Sequence, residues 1–231
     1  GEVFKERCAG LRFMVINSAP LPPERAAQLQ ALLPETELMV YYGLTEASRS
    51  TFISLTKEGA NFYRSVGQAM PGVCIEISDT GEVLVGGPTV TQGYWQDPVR
   101  SAEVLRDGKL HTGDLGELDE RGYLTVTGRI KDVINVGGYK VSPEAVERAL
   151  LAHESVADAA VAGTEQVEAF IVLAEGAAFD ETALSRHCFS CLEHYKVPMK
   201  FHRVSAIPRT ETGKPQRHLL FSQRQDPSTS C

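Results

Sequence analysis

Four short segments of the chain contain side chains that could act together on a phosphorylated ligand. In YYGLTE (41–46), the Thr45 hydroxyl can donate to a phosphate oxygen, and the Glu46 carboxylate can hold Mg²⁺, a hard cation that prefers oxygen ligands. In HTGD (111–114), the Asp114 carboxylate can accept two hydroxyl donors, as a ribose would offer. In GRIKD (128–132), Arg129 can reach the same ribose or a phosphate. In PRTETGK (208–214), the compact charge of Lys214 suits the negative charge that develops on a phosphate in a transition state.

Each segment taken alone also has a purely structural interpretation. Residues 41–46 could simply be the turn that ends a strand, and residues 111–114 an Asx-type turn. Residues 128–132 could be a solvated linker, and residues 208–214 a solvated loop. A P-loop is excluded, because GxxxxGK[ST] does not occur in the sequence. His111 is interpreted as part of a turn, Trp95 as a packing anchor for its loop, and Cys188 and Cys191 as buried or idle thiols. Only the four segments together, in this order and spacing, favour a functional site.

The elements that must position the first segment form an α/β layer, predicted for residues 1–72. LRFMVIN (11–17) and residues 37–42 have the length and apolar character of strands, and residues 24–33 have apolar positions at helical spacing. Strand, helix, strand is typical of such a layer. The second strand should end at Gly43, which places Thr45 and Glu46 at the carboxyl edge of the sheet, where ligands of open α/β sheets bind.

The remaining segments lie on two further regions. Short alternating runs separated by DTGE, DGK and DERG predict an antiparallel β-rich subdomain over residues 73–130. A small α+β domain is predicted for 131–221, with an amphipathic helix over 143–151 that Ser142 caps and Pro143 begins. A second helix is expected over about 180–195. The polar residues 222–231 are predicted to be a flexible tail.

Composition excludes several classes of protein. Of the 231 residues, 42% are hydrophobic and 23% are charged, as in an ordinary globular protein. The net charge of −7 gives no excess of positive charge that would attract nucleic acid, so no nucleic acid is predicted as a partner. No apolar run approaches the roughly 18 residues of a transmembrane helix, and none is predicted. The five scattered cysteines and the absence of a secretory signal pattern predict a cytoplasmic protein with reduced thiols.

The motifs of the chain, in their order, resemble those of the adenylate-forming superfamily, which includes acyl-CoA synthetases, luciferase-like enzymes and the adenylation domains of peptide synthetases. The resemblance extends from about residue 11 to residue 217. It is carried by SAPLPPE, YYGLTE, GEVLVGGPTVTQGYWQDP, DGKLHTGDLGELDERGYLTVTGRIKD, GGYKVSPEAVE, YKVP and PRTETGK. It implies the superfamily's fold and a two-step reaction, in which a carboxylic acid reacts with MgATP to give acyl-AMP, and a thiol, usually that of CoA, then displaces AMP.

The resemblance also implies roles for individual residues. Lys214, Thr45 and Glu46 are the expected catalytic residues, Glu46 being the Mg²⁺ ligand, and Lys131 is the expected hinge between the steps. The residues expected to bind the nucleotide are Ser18, Ala19, Pro20, Tyr42, Gly43, Asp114 and Arg129, with Asp114 and Arg129 at the ribose. The residues expected along the pantetheine path are Gly137, Gly138, Tyr139 and Lys140.

Two departures from the superfamily qualify these expectations. Members are much longer and contain an upstream Ser/Thr/Gly-rich loop that ends in a lysine, so the chain is expected to be the carboxy-terminal portion of the enzyme and inactive without its amino-terminal portion. Pro215 follows Lys214, where an aliphatic residue is more usual, and removes one backbone donor. IKDVINVGGYKVSPEAVE favours CoA as the acceptor. The alternatives are an adenylation unit that loads a carrier protein, and a nucleotide-binding regulatory module without turnover.

Overall fold

The structure is a computed structural model that describes residues 2–17, 21–211 and 213–223. The chain divides into two compact units, Gly1–Val126 and Thr127–Cys231. The predicted boundary at residues 130/131 stays a prediction. In the described part of the chain, no helix is long and apolar enough to cross a membrane.

The first sheet of the amino-terminal unit is built on a strand–helix–strand crossover, as the sequence predicts. After a short helix α1 (Glu2–Cys8), β1 (Phe13–Ile16) lies parallel to β2 (Glu37–Leu44), and helix α2 (Pro23–Leu32) connects them. Pro23 occupies the first turn of α2, where its missing N–H costs no hydrogen bond. The sheet continues through antiparallel pairing, which makes it mixed rather than purely parallel, with β3 (Ala47–Ser54) and β4 (Gln68–Ala69) as the added strands and helix α3 (Leu55–Glu58) after β3.

One face of this sheet is packed, and described residues on the other face are partly exposed. Leu38 and Val40 on β2 and Ile53 on β3 are buried against Ala26 of α2. The residues on the opposite face of β1 and β3 include Phe13, Val15 and Phe52, which are 53%, 44% and 40% exposed. Successive residues of a strand point to opposite faces of the sheet. Phe13, Val15 and Phe52 therefore lie on the face opposite to the buried residues.

The second sheet of this unit is antiparallel, as predicted for residues 73–130. Its order is β5, β6, β8, β7, with β9 also paired to β8. Val83, Val85, Leu110 and Leu124 form its buried core with Ala47. The strands are β5 (Cys74–Ile77), β6 (Glu82–Gly86), β7 (Leu105–Arg106), β8 (Lys109–Leu118) and β9 (Leu124–Arg129), and helix α4 (Pro98–Val104) precedes β7.

The carboxy-terminal unit is a small α+β body. It contains a hairpin of β10 (Ile134–Val136) and β11 (Tyr139–Val141), and a three-stranded sheet in the order β12, β13, β14. Helix α5 (Pro143–Leu151) has the predicted bounds, because Pro143 fits a first turn and Val146 and Leu150 repeat at helical spacing. The other elements are β12 (Val156–Ala162), β13 (Glu168–Leu173), helix α6 (Glu181–Cys191) and β14 (Lys200–Arg203).

Strand β13 is covered on both faces. Ala169 and Ile171 pack into a core with α5 and α6, whereas Phe170 packs on the other side with Ile207 and Leu220. The chain that follows β14 therefore closes the second face of the sheet. Both ends of the loop that contains Lys214 are fixed by burial, since Ile207 precedes the loop and Leu220 follows it.

Several sequence expectations are wrong in detail. Strand β2 continues through Gly43 to Leu44, and the predicted helix over 180–195 ends at Cys191, followed by a 3₁₀ turn at His194–Lys196. Trp95 is 89% exposed and is not a packing anchor. Its neighbour Tyr94 makes the loop contacts instead.

Candidate functional site

Thr45 and Glu46 form the turn of the β2–β3 hairpin. Because β1 and β2 are parallel, this turn lies at the carboxyl edge of the pair, where the sequence places these residues. Thr45 is exposed, and the Glu46 carboxylate accepts a hydrogen bond of 2.5 Å from the Tyr94 hydroxyl. The backbone of Glu46 is also fixed, since its carbonyl accepts from the Thr91 amide at 2.7 Å. The turn therefore places an exposed hydroxyl next to an oriented carboxylate.

Gly43 is required by the hairpin itself. The register of β2 against β3 shifts between Tyr42 and Leu44. A Cβ at Gly43 would lie 2.5 Å from the backbone nitrogen of Arg49 and 2.9 Å from the carbonyl oxygen of Ala47. A nucleotide contact at Gly43 stays a prediction, and close backbone packing already accounts for a glycine here.

Asp114 is a buried carboxylate on β8. It is 4% exposed, and one of its oxygens accepts a 2.7 Å hydrogen bond from the Tyr42 hydroxyl. The structure thus brings together two residues of the predicted nucleotide site that are far apart in the sequence. A carboxylate has lone pairs for several donors, so a contact with Tyr42 is compatible with further hydrogen bonds to the same side chain.

The segment around Asp114 is an irregular strand and not the predicted tight turn. Gly113 has a φ of +71° in the middle of β8, and the pairing of β6 with β8 is shifted there. The Glu82 carboxylate holds this irregularity, because it accepts from the Gly113 amide at 2.9 Å and lies 3.0 Å from Nδ1 of His111. His111 is therefore tied to Glu82 by its side chain, which the interpretation as a simple turn residue missed.

The residues present fit a magnesium ion that is shared with phosphates. In the described ranges, no group of three or more His, Cys, Asp or Glu side chains could hold a metal ion. Mg²⁺ is usually bound through one or two carboxylates together with substrate phosphates and waters. Glu46, whose second carboxylate oxygen is not the acceptor for Tyr94, matches that donor set, and it would hold the ion only together with a phosphate-bearing ligand.

In the carboxy-terminal unit, Gly137 and Gly138 form the two-residue loop of the β10–β11 hairpin. Their φ angles are +56° and +92°, and Val136 pairs with Tyr139. Two positive φ angles are the requirement of a type I′ hairpin turn, so the backbone alone accounts for both glycines. Tyr139 stacks on Tyr195 with ring centroids 4.4 Å apart, and Lys140 is exposed. The pantetheine path stays a prediction for these four residues.

Arg129 and Lys131 flank the start of the same unit. Arg129 ends β9 and is half-buried, and Lys131 is exposed in the short 3₁₀ helix Ile130–Asp132. Gly128, just before them, approaches α5 closely, since a Cβ there would lie 2.7 Å from the Ser142 hydroxyl. That hydroxyl lies 2.7 Å from the carbonyl oxygen of Thr127, so the segment is held against the start of α5.

Lys214 lies exposed on a narrow hairpin of the chain. Its amide donates to the Thr210 hydroxyl at 3.1 Å, and its carbonyl accepts from the Thr210 amide at 2.9 Å. Arg209 bonds to the Gly213 carbonyl at 2.7 Å and to Asp158 on β12. The described residues on the two sides of the hairpin are therefore tied together by hydrogen bonds, and Lys214 is exposed beside them.

Pro215 is compatible with this hairpin. It forms an isolated antiparallel bridge with Arg209. The hydrogen bonds of that bridge run from the Thr210 amide to Lys214 and from the Gln216 amide to the carbonyl of Pro208. Because the Pro215 nitrogen is not a donor in this pairing, the sequence departure leaves the loop intact.

Several residues that shape the site were missed by reasoning from the sequence. Tyr94, Glu82, Arg209 and Arg217 all lie inside or beside the motifs, yet each acts through a partner that is distant in the sequence. Ser18, Ala19 and Pro20, predicted at the adenine, lie outside the described residues. Cys188 is fully buried, and burial raises the pKa of its thiol to about 12, so it is not a reactive thiolate near neutral pH.

Comparison with known proteins identifies relatives for both units. The family model described as "AMP-binding enzyme" matches residues 2–95, and the model described as "AMP-binding enzyme C-terminal domain" matches residues 145–214. The chain is 35% identical to a long-chain-fatty-acid–CoA ligase of Bacillus subtilis, over 93% of this chain and 41% of the relative. It is 38% identical to a 2-succinylbenzoate–CoA ligase of Geobacillus kaustophilus, over 90% of this chain and 45% of the relative.

Solved structures give the same result. The amide bond synthetase McbA of Marinactinospora thermotolerans is similar with a TM-score of 0.84 and 34% identity, over 94% of this chain and 49% of that one. ATP-bound MatB of Rhodopseudomonas palustris is similar with a TM-score of 0.86 and 32% identity, over 96% of this chain and 47% of that one. The chain thus spans less than half the length of these relatives.

Proposed function

The chain belongs to the adenylate-forming superfamily of AMP-binding enzymes, and we propose that the protein containing it activates a carboxylic acid with ATP and transfers the acyl group to CoA. The observation that carries the proposal is the similarity of both units to CoA ligases, across 90% or more of this chain. The products of the first step are acyl-AMP and pyrophosphate, and those of the second are the acyl-CoA thioester and AMP.

The chain's own residues divide between the two steps. Asp114, oriented by Tyr42, accepts from the ribose hydroxyls, Arg129 donates to oxygens of the ribose or a phosphate, and Thr45 donates to the phosphate. The exposed Lys214 is presented to the α-phosphate while charge develops in the first step, in which Glu46 with its bound Mg²⁺ would supply further positive charge. Gly137 and Gly138 border the path of the thiol in the second step. Lys131 is the pivot that exchanges these two surfaces, so that one site serves both reactions.

The proposal includes a second portion of protein as a partner. Phe13 and Val15 on β1 and Phe52 on β3 form an exposed apolar face of the first sheet. A face of this kind in a soluble enzyme is normally covered. Because the relatives are more than twice as long as the region matched here, we propose that the upstream portion of the enzyme packs on this face and supplies the phosphate-binding loop and most of the acid pocket. The scattered, odd-numbered cysteines favour a cytoplasmic location.

Lys214→Ala in the enzyme that joins this chain to its upstream portion tests the first step. ATP–pyrophosphate exchange is measured with a long-chain fatty acid, 2-succinylbenzoate and sulfoacetate, the acids in the names of relatives. We expect exchange with one acid class and a loss of about 10²–10³ in the variant, the usual effect of removing one transition-state contact. Thioester formation from the preformed acyl-AMP should persist.

A matched control and a contrary result complete the test. Lys57→Ala removes another exposed lysine, one that is paired with Glu37, and should leave exchange unchanged. Exchange that is equal in the Lys214→Ala variant and the parent enzyme would refute the catalytic role of Lys214. Tight AMP binding without exchange, for every acid and with the upstream portion present, would instead favour a regulatory nucleotide-binding module.

A second acceptor is favoured by one specific observation. The similar structure of McbA is that of an amide bond synthetase, so an amine is an alternative nucleophile for the second step. The two acceptors are separated by supplying the preformed acyl-AMP with CoA or with a primary amine and measuring thioester and amide. Faster consumption with CoA supports the proposed ligase, and faster consumption with the amine supports an amide synthetase.

A further inference from the structure

Arg217 is a half-buried guanidinium placed between the Lys214 loop and the core. It lies three residues beyond Lys214 and three before Leu220, which is fully buried. Its side chain is 15% exposed, and its nitrogens bond to groups from three different elements. Nε donates to the Val161 carbonyl of β12 at 3.0 Å, and Nη1 donates to Asp132 at 3.2 Å. Nη2 donates to Glu144 at 3.2 Å and to Glu147 at 2.9 Å, both on α5.

The chemistry of this cluster is suited to arginine alone. A guanidinium has five N–H donors in a rigid fork, and Arg217 uses them toward three carboxylates and one carbonyl in different directions. The three carboxylates carry more negative charge than one guanidinium can balance. Removal of the guanidinium would take away the donor that Asp132, Glu144 and Glu147 share, so the cluster depends on it.

The cluster joins two segments that the proposed function requires. Asp132 directly follows the pivot Lys131, and Arg217 directly follows the hairpin that presents Lys214. On the other side of the hairpin, Arg209 bonds to Asp158 of β12 at 2.7 Å and to the Gly213 carbonyl at 2.7 Å. The hairpin is therefore fixed on both sides to the body of the unit. Arg217 also bonds to Asp132, the residue next to the pivot.

We propose that Arg217 is a positioning residue for Lys214, which fixes the lysine hairpin to α5, β12 and Asp132 so that the lysine and the residue after the pivot move as one rigid body. The guanidinium does not touch the reacting atoms. Its effect is to hold Lys214 at a constant distance from the pivot, because misplacement of a catalytic group by about 1 Å can cost 10²-fold in rate. The activity part of this inference rests on the proposed function, whereas its structural part does not.

The structural test is amide hydrogen exchange of the full chain with Arg217→Gln and Arg217→Lys. The amides of Gly213 and Lys214 are bonded to Thr210, and we expect both to exchange at least about tenfold faster in each variant. The amides of β13 should keep their protection. Arg217→Lys retains a positive charge for the three carboxylates but loses the fork, so it tests positioning with little change in charge balance. Arg148→Gln, at an exposed arginine of α5, is the matched control and should change neither set.

The activity test uses the enzyme joined to its upstream portion, with the acid that supports exchange. We expect Arg217→Lys to lower the kcat of pyrophosphate exchange roughly 10- to 100-fold and to change thioester formation from acyl-AMP by less than about threefold. Unchanged protection of Gly213 and Lys214 in both variants overturns the inference, as does loss of β13 protection in both, which would make Arg217 a residue for folding only. If the Gly213 and Lys214 amides exchange hydrogen faster in the variants but the parent enzyme has no ATP–pyrophosphate exchange activity, the positioning role of Arg217 is supported and the proposed function is refuted.

Discussion

Glu147→Gln is expected to stabilise the carboxy-terminal unit at pH 8 and to have little effect at pH 5. Glu147 is 9% exposed on α5, accepts from the Val161 amide at 2.9 Å and lies beside Arg217 and Glu144. Burial raises the pKa of its carboxyl from 4.5 to about 7, against the opposing effects of Arg217 and the Val161 amide. The glutamine keeps an oxygen acceptor of the same shape and has no charge to bury.

The magnitude follows from the two pKa values. Well below pH 4.5 the carboxyl is protonated in both the folded and the unfolded chain, and well above pH 7 it is ionised in both. Between these values the unfolded chain releases the proton first, so stability falls as the pH rises. At roughly 1.4 kcal/mol per pH unit, the full loss is about 3 kcal/mol, and most of it is present at pH 8 but not at pH 5.

The assay is amide hydrogen exchange of β13, corrected for intrinsic rates, from which the free energy of opening of this unit is obtained at both pH values. We expect the variant to exceed the parent by about 2–3 kcal/mol at pH 8 and by less than about 1 kcal/mol at pH 5. Glu144→Gln is the control, since this carboxylate bonds to the same guanidinium but its side chain is twice as exposed, at 24% against 12%. A parent chain that is more stable than Glu147→Gln at pH 8 would refute the reasoning, because the pair with Arg217 would then outweigh the cost of burial.

Three further substitutions test the packing of the site and the core. Gly43→Ala should destabilise the amino-terminal unit by about 1–3 kcal/mol in urea unfolding followed by circular dichroism, because its Cβ meets the Arg49 backbone, and an unchanged midpoint would contradict the tight hairpin. Pro215→Ala should leave the exchange of the Lys214 amide within about threefold of the parent value, since the Pro215 nitrogen is not needed as a donor, and strong protection gained by the variant would contradict this. Leu150→Ala should cost the carboxy-terminal unit about 2–5 kcal/mol in β13 exchange, whereas a cost below 1 kcal/mol would mean that the core of α5 is loosely packed.

Local rules were sufficient for much of the fold. The crossover from β1 through α2 to β2 was predicted from apolar spacing and two prolines, and α5 was predicted with its observed ends. The antiparallel region was visible in its turn signals. The hairpin at Gly137 and Gly138 was not predicted, although two adjacent glycines are typical of its type I′ turn. In each case the controlling interactions join residues that are close in the sequence.

The wrong expectations have a common cause. Trp95 is expected to anchor its loop, but the neighbouring Tyr94 bonds to Glu46 on the β2–β3 turn and the tryptophan is exposed. HTGD is predicted to be a turn because Gly113 and Asp114 are typical of turns. The segment instead lies inside β8, where the Glu82 carboxylate of the neighbouring strand accepts from the Gly113 amide at the register shift. Composition cannot reveal a partner on another strand.

The sequence by itself determined the family, the order of the motifs and the chemical types at the site, because these depend on residue identity and spacing along the chain. Only the tertiary structure decided which side chains hold the site in place. Tyr42 meets Asp114 across 72 positions, and Arg217 meets Asp132 across 85. Such contacts are set by the pairing of strands and the packing of α5 on β12. The same burial that shapes the cluster around Arg217 raises the pKa of Glu147, a property that no reading of the linear chain contains.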